Sequence, residues 1–412
     1  MKTKPHNLTV FLAPIMLLFG TCPGHAVDSL DPWAERYVGT LVRDVAYGGG
    51  LFVAVGDAFY NSSEGVCWTR QALDSPSING LSGVAHGNGR FVAVESGAAG
   101  RESRVYTSAN GTAWQPSATL PAGRLPVIQQ VDFGGGTFLA VGQEANPTNA
   151  PGYHWLVMTS PDGVTWTRQS GPTNSGESFY LNAAAYGNRV YIVAGWSGLP
   201  VQEGLVLIST NLTDWTRVTG LPFTAVTSLA FGNGIFVAVG GSSISTSSDG
   251  VSWTNQTPGV PGTLRSVTFG ADGFVAVGEP QLILSSKDAV NWTPHATSVH
   301  GLGGVTYGNG SFVAVGGYYT DLPRGVAVQS GGRPQVCLEA LGFGTLWDPG
   351  FHVLLKAEHG RTYRLQSSSQ LPADSWTDVD DIQLPAGYPD PVRLTDPTAS
   401  RTGQRFYRVV SP

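Results

Sequence analysis

A short apolar strand, FVAV or a close variant, returns along this chain, and that recurrence limits the fold more than any other feature. The copies are anchored at Phe52, Phe91, Phe138, Tyr191, Phe236, Phe274 and Phe312, with gaps of 39, 47, 53, 45, 38 and 38 residues. The basic unit is therefore about 38 residues long, and three copies carry insertions. Self-similarity at this period marks a supersecondary unit that can bury its faces only against its neighbours. Residues 231–256, FGNGIFVAVGGSSISTSSDGVSWTNQ, show the unit in its shortest form. Gly232-Asn233-Gly234 reads as a hairpin turn and Asp249-Gly250 as a second, because Gly, Asn and Asp tolerate the backbone angles such turns need. One copy is then four strands joined by tight turns, which is one blade of a β-propeller. The 55 Gly and the 13% of charged residues fit many short strands better than a helical protein.

Each copy is preceded by an aromatic-Gly or similar dipeptide, read as a turn: Tyr47-Gly48, His86-Gly87, Phe133-Gly134, Tyr186-Gly187, Phe231-Gly232, Phe269-Gly270 and Tyr307-Gly308. The fourth strand opens with Trp68, Trp114, Trp166, Trp215, Trp253 or Trp292 in six copies. The seventh has no such Trp, but Trp33 precedes the first full copy at the matching spacing. The N-terminal strand is thus expected to complete the last blade, closing a ring of seven and removing two free sheet edges.

The turn before each Trp repeats as well. It reads SPDGVTW at 160–166, SSDGVSW at 247–253 and SKDAVNW at 286–292, with an Asn variant, SANGTAW, at 108–114 and a degenerate SEGVCW at 63–68. These strings resemble the Asp box of sialidases, xyloglucanases and related propellers, one residue shorter between Asp and Gly. The resemblance spans roughly residues 31–332 and implies a propeller fold in which Asp162, Asp249 and Asp288 cap turns at the blade periphery, away from any catalysis. The sialidase apparatus of three arginines and a Tyr-Glu pair does not carry over: Arg43 and Arg265 start first strands, and no third arginine holds an equivalent position.

Both ends of the chain differ from the repeats. Residues 1–26 read as a secretory signal, with Lys2 and Lys4, an apolar run over 8–19 and Gly24-His25-Ala26 before the cut. That run is too short to span a bilayer, so no membrane span is expected. Removing the leader leaves 21 basic against 29 acidic residues, net -8, with Lys287 and Lys356 the remaining lysines. A Lys-poor, mildly acidic surface argues against nucleic acid. Export to a periplasmic, extracellular or cell-surface location permits a disulfide between Cys67 and Cys337; two buried small side chains are the alternative. From about residue 334 the period vanishes, and short alternating segments separated by Gly, Pro and Asp predict a small β-sandwich-like domain over 334–412. Its string GRTYRLQSSSQLPADSWT resembles the C-terminal modules that end many secreted bacterial repeat proteins. The expected division is a signal peptide over 1–26, a propeller over 27–333 and the module over 334–412, as a monomer.

Function is less legible. Alternate turns of a propeller lie on opposite faces, and the long connections all fall on one of them, at 96–105, 143–154, 196–204 and 317–325. Loops on a rigid scaffold are where binding residues concentrate. Trp155 and Trp196 are the propeller tryptophans outside the repeat position, beside Tyr153, His154 and Glu203 in neighbouring blades. They are read either as flat platforms for sugar rings or as staples pinning their own loops. Asp57, Glu95, Glu144 and Glu279 follow the FVAV strand, a placement that puts them around the mouth of the central channel. Such carboxylates could serve glycoside hydrolysis or hold a hard cation; the plainer reading is solvated strand ends. No nucleophile elbow, HExxH, paired CxxC, P-loop or dinucleotide fingerprint occurs, so no metal or cofactor is expected. The sequence therefore points to a binding or scaffold protein for a glycan or an extracellular protein. The alternative is a glycoside hydrolase or polysaccharide lyase working through those carboxylates.

Overall fold

The computed structural model describes most residues from Trp33 to Val410, apart from 40, 72–79, 97–102, 118–126, 146–152, 172–176, 199–201, 272, 319–323, 331–336 and several short segments beyond 343. The signal sequence over 1–26, and most of each long connection except 196–204, lie outside the described residues. Among the described residues there is no helix, and hence none long and apolar enough to cross a membrane. Ser29–Arg333 forms one compact unit and Pro334–Pro412 belongs to a second.

The first unit is a seven-bladed β-propeller. Six four-stranded antiparallel sheets follow the chain in simple order, strand by strand. Blade five, for example, runs Ser228–Gly232, Ile235–Gly240, Ser243–Ser247 and Thr254–Gln256. Blade seven takes three strands from Leu302–Gly308, Ser311–Tyr318 and Arg324–Gln329, and its fourth, Ala34–Gly39, from the other end of the chain. The closing pair is antiparallel, with Ala34 opposite Gln329 and Tyr37 opposite Val326. The Trp residues pack just ahead of the fourth strands, and six donate their indole N–H to a turn carbonyl three residues back, as Trp253 does to Gly250 at 2.9 Å. Trp33 makes no such bond. It is buried, and its Nε1 is left without a hydrogen-bond partner.

The aromatic-Gly dipeptides prove to be interlocks between blades. A Cβ added to Gly48 would lie 2.0 Å from His86, and one on Gly87 2.1 Å from Phe133. The series continues from Gly134 to Tyr186, Gly187 to Phe231, Gly232 to Phe269, Gly270 to Tyr307, and Gly308 back to Tyr47. Only glycine lets the next blade's ring come so close, and the cycle closes on itself. The turns that follow are tight, with Asn88, Asn188, Asn233 and Asn309 at positive φ, where Asn is tolerated.

In each capped turn one side chain gathers the backbone. Asp249 Oδ1 accepts from the N–H groups of Val251 and Ser252, both at 2.8 Å. Asp162 and Asp288 do the same for their own two N–H groups, and Asn110 and Asn211 supply the amide version. These bonds hold all three carboxyls below the ordinary Asp range, since each stabilises the ionised form. Blade four's copy runs from Ser209 to Trp215 with Asn211 at the capping position, and Leu212 stands where four of its counterparts have Gly.

The second unit has two three-stranded antiparallel sheets. One orders Cys337–Phe343, Phe351–Lys356 and Val392–Asp396; the other orders Thr377–Gln383, Thr362–Ser368 and Phe406–Val410. Arg364 pairs with Asp378 at 2.9 Å on the second sheet, and Asp396, fully buried, accepts from the N–H and hydroxyl of Thr398.

Candidate functional site

Strand length explains where the unusual side chains sit. In the shortest blades the second and third strands part just beyond Gly240, paired to Ser243, and Gly278, paired to Leu282. The equivalent glycines in blades three and four are Gly142 and Gly195. There the ladder continues: Gln143 pairs with Trp155, Glu144 with His154 and Ala145 with Tyr153 in blade three. In blade four, Trp196 pairs with Gly204 and Ser197 with Glu203. Tyr153, His154, Trp155, Glu144, Trp196 and Glu203 are therefore all residues of added rungs, standing on one side of the ring.

The two tryptophans part company. Trp155 is buried at 6% exposure, in the core cluster between blades three and four, edge-on to Trp215 at 6.4 Å. A Cβ on Gly171 would lie 1.6 Å from its ring. It offers no open face, so the platform expectation is corrected for Trp155: the residue is core packing. Trp196 is half-buried and lies flat on Tyr180, ring centroids 3.7 Å apart and 13° between planes. Tyr180 in turn meets Tyr153 at 5.5 Å. Tyr153 is 43% exposed and is the one aromatic among the exposed large hydrophobic side chains of the described residues. The result is a continuous run of three rings from two blades. Sequence reading missed Tyr180, which lies in the first strand Phe179–Gly187 opposite Trp196.

Polar groups border this run. Arg217 binds Glu177 at 2.7 Å and the Ser197 hydroxyl at 3.0 Å, with its guanidinium over the Phe179 ring. Arg168 is ion-paired to the buried Glu144. The backbone N–H of Tyr153 donates to Ser178 Oγ at 3.3 Å, tying blade three's ledge to blade four. Glu203 is exposed and His154 half-buried.

The four carboxylates after the FVAV strands are not gathered. None lines the central cavity, which corrects their expected placement at the channel mouth. Asp57 accepts from the Tyr60 hydroxyl at 3.2 Å, and Glu95, 2% exposed, from the Tyr106 hydroxyl at 3.1 Å. Glu144 is held by Arg168 and Glu279 by Arg265 at 2.5 Å. Each answers to a residue of its own blade: Asp57 and Glu95 to the third strand, Glu144 to the fourth and Glu279 to the first. Among the described residues no cluster of three or more metal-ligating side chains occurs.

The central cavity, about 340 Å³, is lined by the first strands of all seven blades. It holds two carboxyls that sequence reading passed over, Asp44 in blade one and Asp132 in blade three. Asp44 accepts from the Val84 N–H at 3.0 Å and Asp132 from its neighbour Phe133 at 2.7 Å. Gln130 reaches Asp44 across blade two, where Gly83 leaves room: a Cβ there would lie 1.8 Å from Gln130 Oε1. Burial pushes Asp44 up to about 6 and Asp132 up to about 7, and the charge of Asp44 adds to the rise at Asp132. A column of first-strand residues would have revealed the second: where Asp132 stands, the other blades have Ala46, Ala85, Ala185, Ala230, Thr268 and Thr306. Cys67 is disulfide-bonded.

No protein-family profile matches the chain, and no curated protein matches it. Solved structures do match in fold. YCF48 from Cyanidioschyzon merolae aligns with a TM-score of 0.52 at 12% identity, over 72% of this chain and 98% of that one. The WD40 β-propeller domain of Doa1 aligns at 0.53 and 12% identity, over 73% and 96%. The extracellular domain of a hybrid two-component system from B. thetaiotaomicron aligns at 0.53 and 11% identity, over 92% of this chain and 58% of that one. At such identities the similarity is one of fold: this chain carries a seven-bladed propeller, and its chemistry has to be argued from its own residues.

Proposed function

We propose that the chain is a secreted, non-catalytic binding propeller that takes a glycan or an extracellular protein partner on the face bearing the long connections. The observation that carries this reading is the run Tyr153, Tyr180 and Trp196, held by rungs the shorter blades lack. The carboxylates that a hydrolase would need are engaged one by one within their blades. Export rests on residues 1–26 and on the disulfide at Cys67, for which Cys337 is the partner we propose. Residues 334–412 are proposed as an accessory β-sandwich-like module of the kind that ends secreted bacterial repeat proteins. Residues 27–333 carry the binding face, and Asp162, Asp249 and Asp288 are turn caps related to the Asp box.

The test is to incubate the full chain with a panel of plant and bacterial polysaccharides and to follow both retention and products. Hydrogen exchange then maps the footprint of whatever is retained. Retention without products, with protection over 153–156, 178–181 and 195–205, is the expected result. Cleavage of a retained polysaccharide, abolished by Glu95→Gln or Glu144→Gln, would establish the enzyme instead. Protection confined to the Asp162, Asp249 and Asp288 turns would place binding on the opposite face.

A further inference from the structure

We infer that the Tyr153, Tyr180 and Trp196 run binds a neutral, linear polysaccharide of β-1,4-linked pyranose units, an inference that rests on the binding reading above. The rings stand outside the hydrophobic clusters that hold blades three and four together: the cluster there takes Trp155, Phe179 and Trp215 but none of the three. Large apolar rings that the core does not use, contiguous and partly open to solvent, are a recognition surface more than a packing device. Tyr180 and Trp196 turn one face toward each other, so a ligand meets only the faces outside that stack, and these carry the negative side of the ring quadrupole. A β-linked pyranose turns a flat face of weakly positive C–H groups outward, and a 1,4-linked chain repeats that face along its length. Tyr153, Tyr180 and Trp196 already rest on one another, so little side-chain freedom is lost when a chain settles on them.

The charges around the run select against acidic sugars. Recognition of a uronate, sulfate or phosphate calls for a cation able to turn to it, ideally in bidentate geometry. Both neighbouring arginines already answer to carboxylates of the chain itself, Arg168 to Glu144 and Arg217 to Glu177. Glu203 adds an exposed negative charge beside Gly204, the cross-strand partner of Trp196. Carboxylates accept from sugar hydroxyls, which suits a hydroxyl-rich neutral chain and repels an anionic one.

Calorimetric titration of the full chain with cellohexaose and mannohexaose tests this, with maltohexaose and hexagalacturonate as α-linked and anionic comparators. At least one neutral β-1,4 hexaose should bind, and both comparators should bind at least tenfold more weakly. Tyr153→Ala and Trp196→Ala should each weaken binding roughly tenfold, the order expected for losing one aromatic contact. Tyr153→Phe should bind within about twofold of the parent, since the ring face is kept. Tyr153→Ala should melt close to the parent, because Tyr153 is an exposed residue outside the core cluster, so a loss there is not a loss of fold. Failure to bind either neutral hexaose, preference for hexagalacturonate, or wild-type affinity in Tyr153→Ala would each overturn the inference. The broader reading survives all three if another ligand protects the same face; it fails, instead, if a bound hexaose is cleaved.

Discussion

Blades five and six and blades three and four are built from one unit, yet the two pairs use their length differently. Blade five's third strand, Ser243–Ser247, ends where its fourth strand can pair with it, and every residue serves the blade. Blade three's third strand, Tyr153–Ser160, starts three residues earlier, while its fourth strand reaches only Met158 and Thr159. The extra length becomes a ledge above the body of the blade. Rungs added to an existing ladder are stiff, since their backbone bonds are already satisfied by the partner strand. The difference shows how a repeat gains a site at low cost: it lengthens two strands and leaves the interlocking columns untouched.

The ring should be most sensitive where the two chain ends meet. Deleting residues 27–40 leaves the Arg324–Gln329 edge of blade seven unpaired and should abolish cooperative unfolding. Trp33→Ala should cost roughly 3–5 kcal/mol, as a large-to-small core change. Trp114→Ala should cost more, since Trp114 also gives its indole hydrogen bond to Gly111 and stacks on Phe59 at 4.0 Å, whereas Trp33 has no such bond. Chemical denaturation of the three variants checks the order. A deletion variant that melts like the parent would remove the argument for closure through this strand.

Within the ledge itself, the buried and the exposed ring should behave oppositely. Trp155→Ala should destabilise by about 3–5 kcal/mol, as for a core aromatic, and weaken ligand only through loss of fold. Tyr153→Ala should change stability by less than about 0.5 kcal/mol, as for an exposed site. Equal effects at the two positions would mean that the ledge is a packing device after all.

That contrast marks the limit of what the sequence made legible. Blade count, blade order and closure follow from columns of Phe, Trp and Asp whose spacing is a direct consequence of the repeat. Trp155 and Trp196 look alike in sequence because both break the repeat. A propeller strand is covered on both faces by neighbouring blades, so alternation does not separate an inward ring from an outward one; Trp155, Leu156, Val157 and Met158 are all buried. The aromatic-Gly columns were visible but read as turns, since their partners lie in the next blade, about one repeat away. Asp44 and Asp132 were invisible as a pair for the same reason: only the closed ring brings blades one and three to one cavity.

The two channel carboxyls make a further prediction, with its sign set by burial. Both fold with raised pKa values, about 6 and about 7, against an unfolded value near ~3.9. Their contribution is fully present below that unfolded value and is lost as pH rises through the folded values. Stability should therefore fall between about pH 4 and pH 7, by up to roughly 7 kcal/mol for the pair at about 1.4 kcal/mol per pKa unit. Asp162, Asp249 and Asp288 act in the opposite sense: their depressed pKa values support the fold above the unfolded value and withdraw that support as pH falls below it. The melting temperature should thus peak under mildly acidic conditions. In Asp44→Asn with Asp132→Asn the decline toward neutral pH should flatten. A double variant that keeps the parent's slope would assign the pH dependence to other groups.

The smallest effect expected concerns a departure from the repeat in blade six. In four blades a Gly sits after the capping residue at positive φ, as Gly163 does at 71° and Gly250 at 77°. Leu212 at 68° and Ala289 at 63° hold the same backbone in blades four and six. For an L-residue that conformation costs roughly 1–2 kcal/mol. Leu212 recovers part of this by packing against the core between blades three and four, so glycine there gains conformation and loses contact. Ala289 has one methyl to lose, buried in the cluster with Val237 and Leu284, at roughly 0.8 kcal/mol per buried carbon. Ala289→Gly should therefore be neutral to slightly stabilising, by no more than about 1 kcal/mol, while Leu212→Gly should destabilise. Gly250→Ala should destabilise too, because its Cβ would press on Ile192 Cδ1 at 2.7 Å. If Ala289→Gly instead lowers the melting temperature as far as Gly250→Ala does, the methyl is keyed into blade five, and blade six has made a contact out of what its neighbours leave as backbone.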